Sequence, residues 1–255
     1  MTTAIGIRGE GTSDLEKNVR HHETALCRGA GIREAGEDMP LTPAELAALR
    51  QDYSLHGLRR AQLDPDPIRQ FQKWLEEAHA EKNPEPNAMT LATVDAAGSP
   101  WSRTVLLKIC DDRGFVFFTN YDGAKAVHLA RNPNAALTFW WPLLQRQVNV
   151  TGIVEKTSRE ESEEYFHTRP IKSQLGAWAS KQSEIIASRA DLERQFEEAH
   201  ERFGEESIPL PDNWGGYRLQ PRTIEFWQGQ QSRLHDRLRY TLQEGGGWQI
   251  ERLSP

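Results

Sequence analysis

The sequence predicts a mainly β fold with peripheral helices (α+β), in which the strands close into a barrel. Short apolar segments separated by turn residues follow one another between residues 88 and 156, and again after residue 214. In the runs 105–107 and 115–118 every position is apolar, so both faces of these strands need cover. That pattern is typical of a closed barrel rather than of an open sheet with one face in water.

Two helices are predicted before the strands. Thr42 and Glu45 have the spacing of a capping box, which predicts a helix over about 42–54. Asp66 and Pro67 begin a second helix, whose apolar residues recur at helical spacing. Residues 1–38 show no apolar periodicity, so we predict a flexible N-terminal extension followed by a single domain over 39–255.

The first half of the core follows as a series of hairpins. Turn residues at 96–98 and 111–114 separate strands predicted at 89–94, 104–110 and 115–120. A short helix over 124–131 comes next, and it precedes strands at 135–141 and 146–156.

The second half begins with helices and returns to strands. Ser158 and Glu161 form a second capping box for a helix that ends before Pro170, and Ser188 caps a further helix. The remaining strands are predicted near 215–219, 222–228, 233–241 and 247–252.

Composition and motifs exclude several classes of protein. The net charge of -6 argues against a nucleic-acid surface, and the two cysteines, Cys27 and Cys110, have neither metal-binding nor disulfide-framework spacing. No apolar run approaches the ~20 residues of a membrane span, and no signal-peptide pattern is present, so we expect a soluble, cytoplasmic protein. The sequence lacks a P-loop, GxGxxG, GxSxG and HExxH, and no metal site is predicted.

The run from Arg233 to Arg237 is the densest cationic segment of the chain. If it is extended, Arg233, His235 and Arg237 lie on one face, because side chains alternate along a strand. Such a face belongs either in water or against a bound anion, since unpaired charges are costly to bury. The residues alone leave both interpretations open.

Three other segments have the residue types of an anion site. Lys108 follows three apolar residues, so its ammonium group either reaches solvent along a packed stem or binds a ligand. The turn from Thr119 to Lys125 is either an ordinary strand-to-helix turn or a phosphate-binding helix N-terminus. Tyr165 and Arg169 are four residues apart, which predicts that they share one helical face. With Ser173 they offer a donor set for a phosphate monoester, although Arg169 could instead satisfy helix carbonyls. Trp227 is either a core residue or a neighbour of a planar ligand.

Taken in order, these segments closely resemble the pyridoxamine 5'-phosphate oxidase family. The resemblance extends from about residue 48 to the C-terminus, and it rests on several short motifs. They are Arg103–Lys108, Gln145–Val148, Tyr165–Gln174, Gly176–Trp178, Ser180–Ser183, Trp214–Gly216, Ile224–Gly229 and Arg233–Arg237. Each motif alone is weak, whereas their ordered set is specific.

The resemblance implies an FMN-binding split β-barrel that acts as a homodimer with FMN at the interface. It implies oxidation of pyridoxamine or pyridoxine 5'-phosphate to pyridoxal 5'-phosphate, with dioxygen as acceptor and hydrogen peroxide as product. By the same resemblance, the FMN-binding residues are Arg103, Thr104, Val105, Leu106, Leu107, Lys108, Phe118, Thr119, Lys125, Gln147, Gln182, Ser183, Trp227 and Arg237. The substrate-binding residues are Arg50, Tyr53, Lys108, Tyr165, Arg169 and Ser173, and Arg233 and His235 lie over the substrate ring as the catalytic pair.

The chain departs from the family pattern at the phosphate turn, where Ala124 stands in the place of a usual arginine. This departure predicts weaker FMN binding. Two alternatives to the implied function are a split-barrel oxidase of another substrate, as in phenazine assembly, and a non-catalytic module that binds flavin or pyridoxal phosphate. The Tyr165, Arg169 and Ser173 set argues against the first, because a substrate without phosphate does not need those donors.

Overall fold

The computed structural model describes residues 42–49, 52–53, 57–204 and 207–255. The chain divides into two compact units, residues 1–51 and residues 52–255. In the first unit, the described residues form helix α1, Pro43–Ala48, and the predicted capping box between Thr42 and Glu45 is present. The helix ends at Ala48, so it is shorter than the predicted 42–54. The predicted extension over 1–38 and Arg50 lie outside the described residues.

The second unit is built on one antiparallel sheet. Its strands are β1 (Ala88–Val94), β2 (Pro100–Leu106), β3 (Ile109–Asp111), β4 (Gly114–Asn120), β5 (Asn134–Trp141), β6 (Arg146–Lys156), β7 (Trp214–Gln228), β8 (Asp236–Leu242) and β9 (Trp248–Leu253). Their order is β2-β1-β5-β6-β7-β4-β3, and β8 and β9 extend the sheet from β7.

The sheet closes on itself at Leu107 and Lys108. These two residues are all that separates β2, which pairs with β1, from β3, which pairs with β4. The Leu107 amide donates to the Asn87 carbonyl and the Lys108 amide donates to the Val116 carbonyl, each at 2.8 Å. One strand therefore passes from one neighbour to the other, and the prediction of a mainly β barrel with peripheral helices is confirmed.

The helices of this unit are α2 (Pro67–Ala80), α3 (Ala124–Arg131), α4 (Arg159–Thr168), α5 (Ile171–Ala179) and α6 (Arg189–Phe203). The predicted caps are present, because Asp66, Ser158 and Ser188 each accept a hydrogen bond from a first-turn amide. Helix α5 was not predicted. Of the helices described, none has the length and apolar character needed to cross a lipid bilayer.

Strand β7 is a single strand where the sequence predicted two. The predicted gap between the two strands contains Pro221. There the structure has a bulge in the ladder with β6, where the register shifts between Thr151 and Gly152. At Gly152 the chains approach so closely that a Cβ atom would lie 2.0 Å from the Gln220 carbonyl oxygen. A glycine is therefore required opposite the proline, and the two together let the strand continue.

Residues 157–213 form an excursion between two paired strands. Lys156 ends β6 just before it, and Trp214 begins β7 just after it; Lys156 pairs with Tyr217 of β7. The excursion carries α4, α5 and α6 and has its own apolar cluster, which includes Phe166, Leu175 and Trp214. It therefore packs as a small helical layer, and the barrel holds both of its ends.

Candidate functional site

A cavity of about 790 Å³ brings together most of the residues predicted to bind a phosphorylated ligand. Its walls come from β2, the Leu107–Lys108 junction, β4, α3 and the helical excursion. The predicted residues that line it are Arg103, Thr104, Val105, Leu106, Lys108, Phe118, Thr119, Lys125, Tyr165, Arg169, Ser173 and Gln182. Leu107 instead points into the barrel core.

The cavity is cationic and has no internal counterion. Arg103, Lys108, Lys125 and Arg169 line it, and no described aspartate or glutamate does. Burial lowers the pKa of Arg103 and of Arg169, which reflects the cost of holding these charges away from water. An anionic ligand would offset that cost, so the lining favours a ligand with negative charge.

At one side of the cavity, Lys125 is held by two neutral acceptors. Its Nζ donates to Gln182 Oε1 at 2.5 Å and to Thr119 Oγ1 at 3.1 Å. Burial, and then the charge of Arg103, lower the pKa of the Lys125 ammonium group. Next to it, the Ala124 amide at the start of α3 donates to Ser183 Oγ at 3.2 Å. This side of the cavity therefore collects the donors predicted for the flavin phosphate.

At the other side, Arg169 lies on an aromatic surface. Its guanidinium is 4.6 Å from the centre of the Trp214 ring, and the Tyr165 ring is nearly parallel to that of Trp214. Its Nη1 nitrogen is buried without a hydrogen-bond partner among the residues that the structure describes. A buried donor without a partner is costly, so the described protein groups leave this guanidinium incompletely satisfied.

The predicted relation between Tyr165 and Arg169 needs correction. Helix α4 ends at Thr168, and Arg169 has extended backbone angles, so the two do not share a helical face. Tyr165 and Arg169 nevertheless both line the cavity, together with Ser173 in the first turn of α5. The unpaired amides of a helix N-terminus add partial positive charge at this side.

Ser183 is not among the lining residues, and several other predicted residues form a second cluster outside the cavity lining. The Trp227 and His235 rings lie 4.6 Å apart, and Tyr53 contacts each of them edge-on at 5.7 Å. Gln147 is the register partner of Trp227. Within one described chain, the structure therefore divides the predicted site between a cationic cavity and an aromatic cluster.

The prediction that residues 233–237 form one extended cationic face is wrong. Gln231–Arg233 is a 3₁₀ turn, Ser232 and Arg233 have positive φ angles of 55° and 61°, and β8 begins only at Asp236. The turn places Arg233 and Arg237 in different surroundings. Arg237 pairs with Glu225 through contacts of 2.8 and 3.1 Å, whereas no ion pair is found for Arg233 among the described side chains.

Arg233 is expected to lower the pKa of His235. Burial, and then the charge of Arg233, lower the pKa of the imidazole below its ordinary value. An Arg233→Gln change removes the second cause, so the pKa of His235 should rise. NMR titration of the His235 ring protons in the apoprotein measures this. Arg237→Gln is the matched control, because Glu225 already neutralises Arg237, and an equal shift in both variants would contradict the expectation.

Trp214 is a lining residue to which the sequence assigned no role. It stands at the first position of β7, immediately after the helical excursion. An aromatic residue at a strand start gives no local signal of this kind, because its partners Phe118, Tyr165 and Arg169 come from distant segments.

Two family models and several named relatives match this chain. The family model described as pyridoxamine 5'-phosphate oxidase matches residues 75–203, and that of the pyridoxine 5'-phosphate oxidase C-terminal dimerisation region matches residues 214–255. A protein of Nostoc sp. named pyridoxine/pyridoxamine 5'-phosphate oxidase is 55% identical over 210 residues, which cover 82% of this chain and 98% of that protein. One of the same name from Cupriavidus necator is 56% identical over 211 residues, covering 83% and 99%.

Among solved structures, PhzG from Burkholderia lata 383, in complex with tetrahydrophenazine-1-carboxylic acid, has a TM-score of 0.75 at 27% identity. The match covers 80% of this chain and 100% of PhzG. An FMN-binding protein of Nostoc punctiforme related to pyridoxamine 5'-phosphate oxidase shares the fold, with a TM-score of 0.61 at 16% identity over 74% of this chain and 98% of that one. From the family model and the extent of these alignments, this chain belongs to the pyridoxamine 5'-phosphate oxidase family.

Proposed function

We propose that this chain is an FMN-dependent oxidase of phosphorylated B6 vitamers. It converts pyridoxine 5'-phosphate and dioxygen to pyridoxal 5'-phosphate and hydrogen peroxide. With pyridoxamine 5'-phosphate, water also enters and ammonia leaves. The observation that carries the proposal is the cavity lined by four cationic side chains, to which no described aspartate or glutamate contributes.

The cavity has donors for two phosphate groups, one of the cofactor and one of the substrate. The flavin phosphate would be held by Arg103, Lys125 and Ser183. Tyr165, Arg169 and Ser173 would hold the substrate phosphate, with Lys108 between the two groups. Bound FMN supplies the redox chemistry, by accepting two electrons and passing them to dioxygen. The protein residues fix the distance and orientation of the two ligands.

The aromatic cluster is proposed to complete the cavity of a second subunit. Four residues predicted to contact flavin or substrate do not line the cavity of their own chain. They are Gln147, Trp227, His235 and Arg237. The C-terminal dimerisation region of the family covers β7, which carries Trp227, and β8, which carries Arg237, with His235 just before β8. A homodimer that brings this face to the partner's cavity would assemble both halves of the site.

Substitution of Ala124 tests the phosphate turn. Ala124 is exposed at the first turn of α3, next to the buried Lys125, so an arginine there could reach a phosphate held by the turn. We expect Ala124→Arg to tighten FMN binding by about tenfold, the effect of one added charge-assisted hydrogen bond. Quenching of flavin fluorescence on titration of the apoprotein measures it. Val127→Arg, on the same helix and also exposed, is the control, and an unchanged FMN affinity of Ala124→Arg would refute the expectation.

The main experiment uses the purified holoprotein with FMN. Without oxygen, pyridoxine 5'-phosphate should bleach the flavin absorbance, and with oxygen the aldehyde product and hydrogen peroxide should form in equal amounts. Binding of FMN without bleaching by either B6 phosphate would indicate a binding module. Bleaching by an unphosphorylated tricyclic substrate, but by neither B6 phosphate, would instead favour an oxidase of the PhzG kind.

A further inference from the structure

Arg103 is anchored from behind by the strand next to it. Its Nη1 donates to the Thr93 hydroxyl at 2.7 Å and to the Leu91 carbonyl at 3.2 Å, both on β1. These two bonds use both hydrogens of Nη1. Because Arg103 also lines the cavity, its Nε and Nη2 are the donors left for a ligand, and no described residue bonds them. The two anchors thus decide which edge of the guanidinium faces the cavity.

Thr93 passes the hydrogen-bond chain on to His128. The Thr93 side chain is only 1% exposed, and its hydroxyl lies 3.0 Å from His128 Nδ1. Arginine can only donate, so the hydroxyl accepts from Arg103 and its own proton remains to be donated. A buried hydroxyl proton needs an acceptor, which His128 Nδ1 provides when the ring proton is on Nε2. With that tautomer, His128 accepts from Thr93, and Thr93 accepts from Arg103.

His128 connects this chain to the helix that carries Lys125. It is three residues further along α3 and is buried against β1, while Lys125 reaches the cavity from the same helix. The His128 ring also lies 6.0 Å from the Trp101 ring, whose indole N–H donates to Asp95 at 2.9 Å. One helix thus sets the position of Lys125 directly and that of Arg103 through two intermediate side chains.

We propose that Thr93 and His128 are positioning residues, which hold Arg103 in the orientation that receives the phosphate of the flavin. This inference rests on the proposed function. Neither residue lines the cavity. Their contribution is preorganisation, because a guanidinium that is already oriented loses less freedom when the phosphate binds.

The test compares FMN with riboflavin, which lacks the phosphate, on the apoprotein. Thr93→Val keeps the shape of the side chain and removes the hydroxyl, and it should raise the Kd of FMN about tenfold while leaving that of riboflavin unchanged. Thr93→Ser keeps the hydroxyl and should retain FMN affinity. His128→Leu should act like Thr93→Val, whereas His128→Asn, which can place an acceptor oxygen near Nδ1, should lose less.

Thr151→Val is the matched control, since Thr151 lies on β6, bonds Thr223 and does not line the cavity. His128→Leu interrupts the same hydrogen-bond chain one residue further from the cavity. This variant serves in place of Thr93→Val if Thr93→Val does not fold. Equal losses of FMN and riboflavin affinity, or a Thr93→Ser variant as weak as Thr93→Val, would overturn the inference. Absence of FMN binding by the unaltered protein would overturn the proposed function and this inference with it, and that outcome is visible before any variant is compared.

Discussion

Replacing Arg169 with methionine is expected to raise the KM for pyridoxine 5'-phosphate on the order of 100-fold, or ~2.8 kcal/mol at ~1.4 kcal/mol per tenfold. The guanidinium lies in the cavity on the Trp214 ring, and its buried Nη1 lacks a partner among the described residues. Arg169 lines the cavity and no described carboxylate pairs with it, so a bound phosphate would not have to displace an internal counterion. Since the substrate phosphate does not react, kcat should fall much less than kcat/KM.

The control for this substitution is Lys172→Met, which removes the same charge from an exposed position one turn away. Steady-state kinetics of both variants separate a local contact from a general loss of positive potential. Arg169→Lys should be intermediate, because lysine keeps the charge and loses the planar fork that stacks on Trp214. Equal KM increases for Arg169→Met and Lys172→Met would contradict the assignment of the phosphate to Arg169.

Replacing Phe71 with alanine is expected to lower the free energy of unfolding by about 4 kcal/mol. Phe71 is 0% exposed, and on α2 it contacts the barrel aromatics Phe115, Phe139 and Trp141. Truncation would remove the ring and leave a cavity that three large neighbours cannot fill without moving. Denaturant unfolding monitored by circular dichroism measures the change.

Phe71→Leu is the companion variant. It keeps most of the apolar volume and is expected to cost about 1.5 kcal/mol, because the loss is mainly one of shape. Neither residue 71 nor its three aromatic neighbours line the cavity, so flavin affinity should survive in both variants under native conditions. A Phe71→Ala variant within about 1 kcal/mol of the unaltered protein would mean that α2 contributes little to the barrel.

The sequence predicted best where the signal is local. Asp66, Ser158 and Ser188 cap helices as expected, because an N-cap needs only a side-chain oxygen and the next few amides. Helix α5 was missed for the same reason, since its N-cap is Pro170, which makes no side-chain cap, and Gly176 lies within it. Its helical state depends on packing against α6 and the rest of the excursion, and packing has no signature within nine residues.

Site residues were likewise predicted where a short motif marks them and missed where only the fold brings them together. Arg103, Lys125, Tyr165, Arg169 and Ser173 were singled out from short motifs, and the structure brings them into one cavity. The strand predicted over 233–241 began too early, because positive φ at Ser232 and Arg233 has no sequence signal. Thr93 and His128 were not considered at all, since their connection to Arg103 crosses between a helix and two strands and exists only in the folded chain.

The helical excursion has an evolutionary consequence. Residues 157–213 leave the barrel and return to it between register partners, so their replacement would leave the β6–β7 ladder unbroken. The three candidate ligands of the substrate phosphate all lie on this excursion, whereas Arg103 and Lys125 belong to the barrel and α3. Substrate choice could therefore diverge by exchange of one segment, provided that Gln182 and Ser183 are kept, while the barrel retains the flavin. A chimera that receives the corresponding segment of PhzG would reveal whether recognition of the substrate is inherited separately from that of the cofactor.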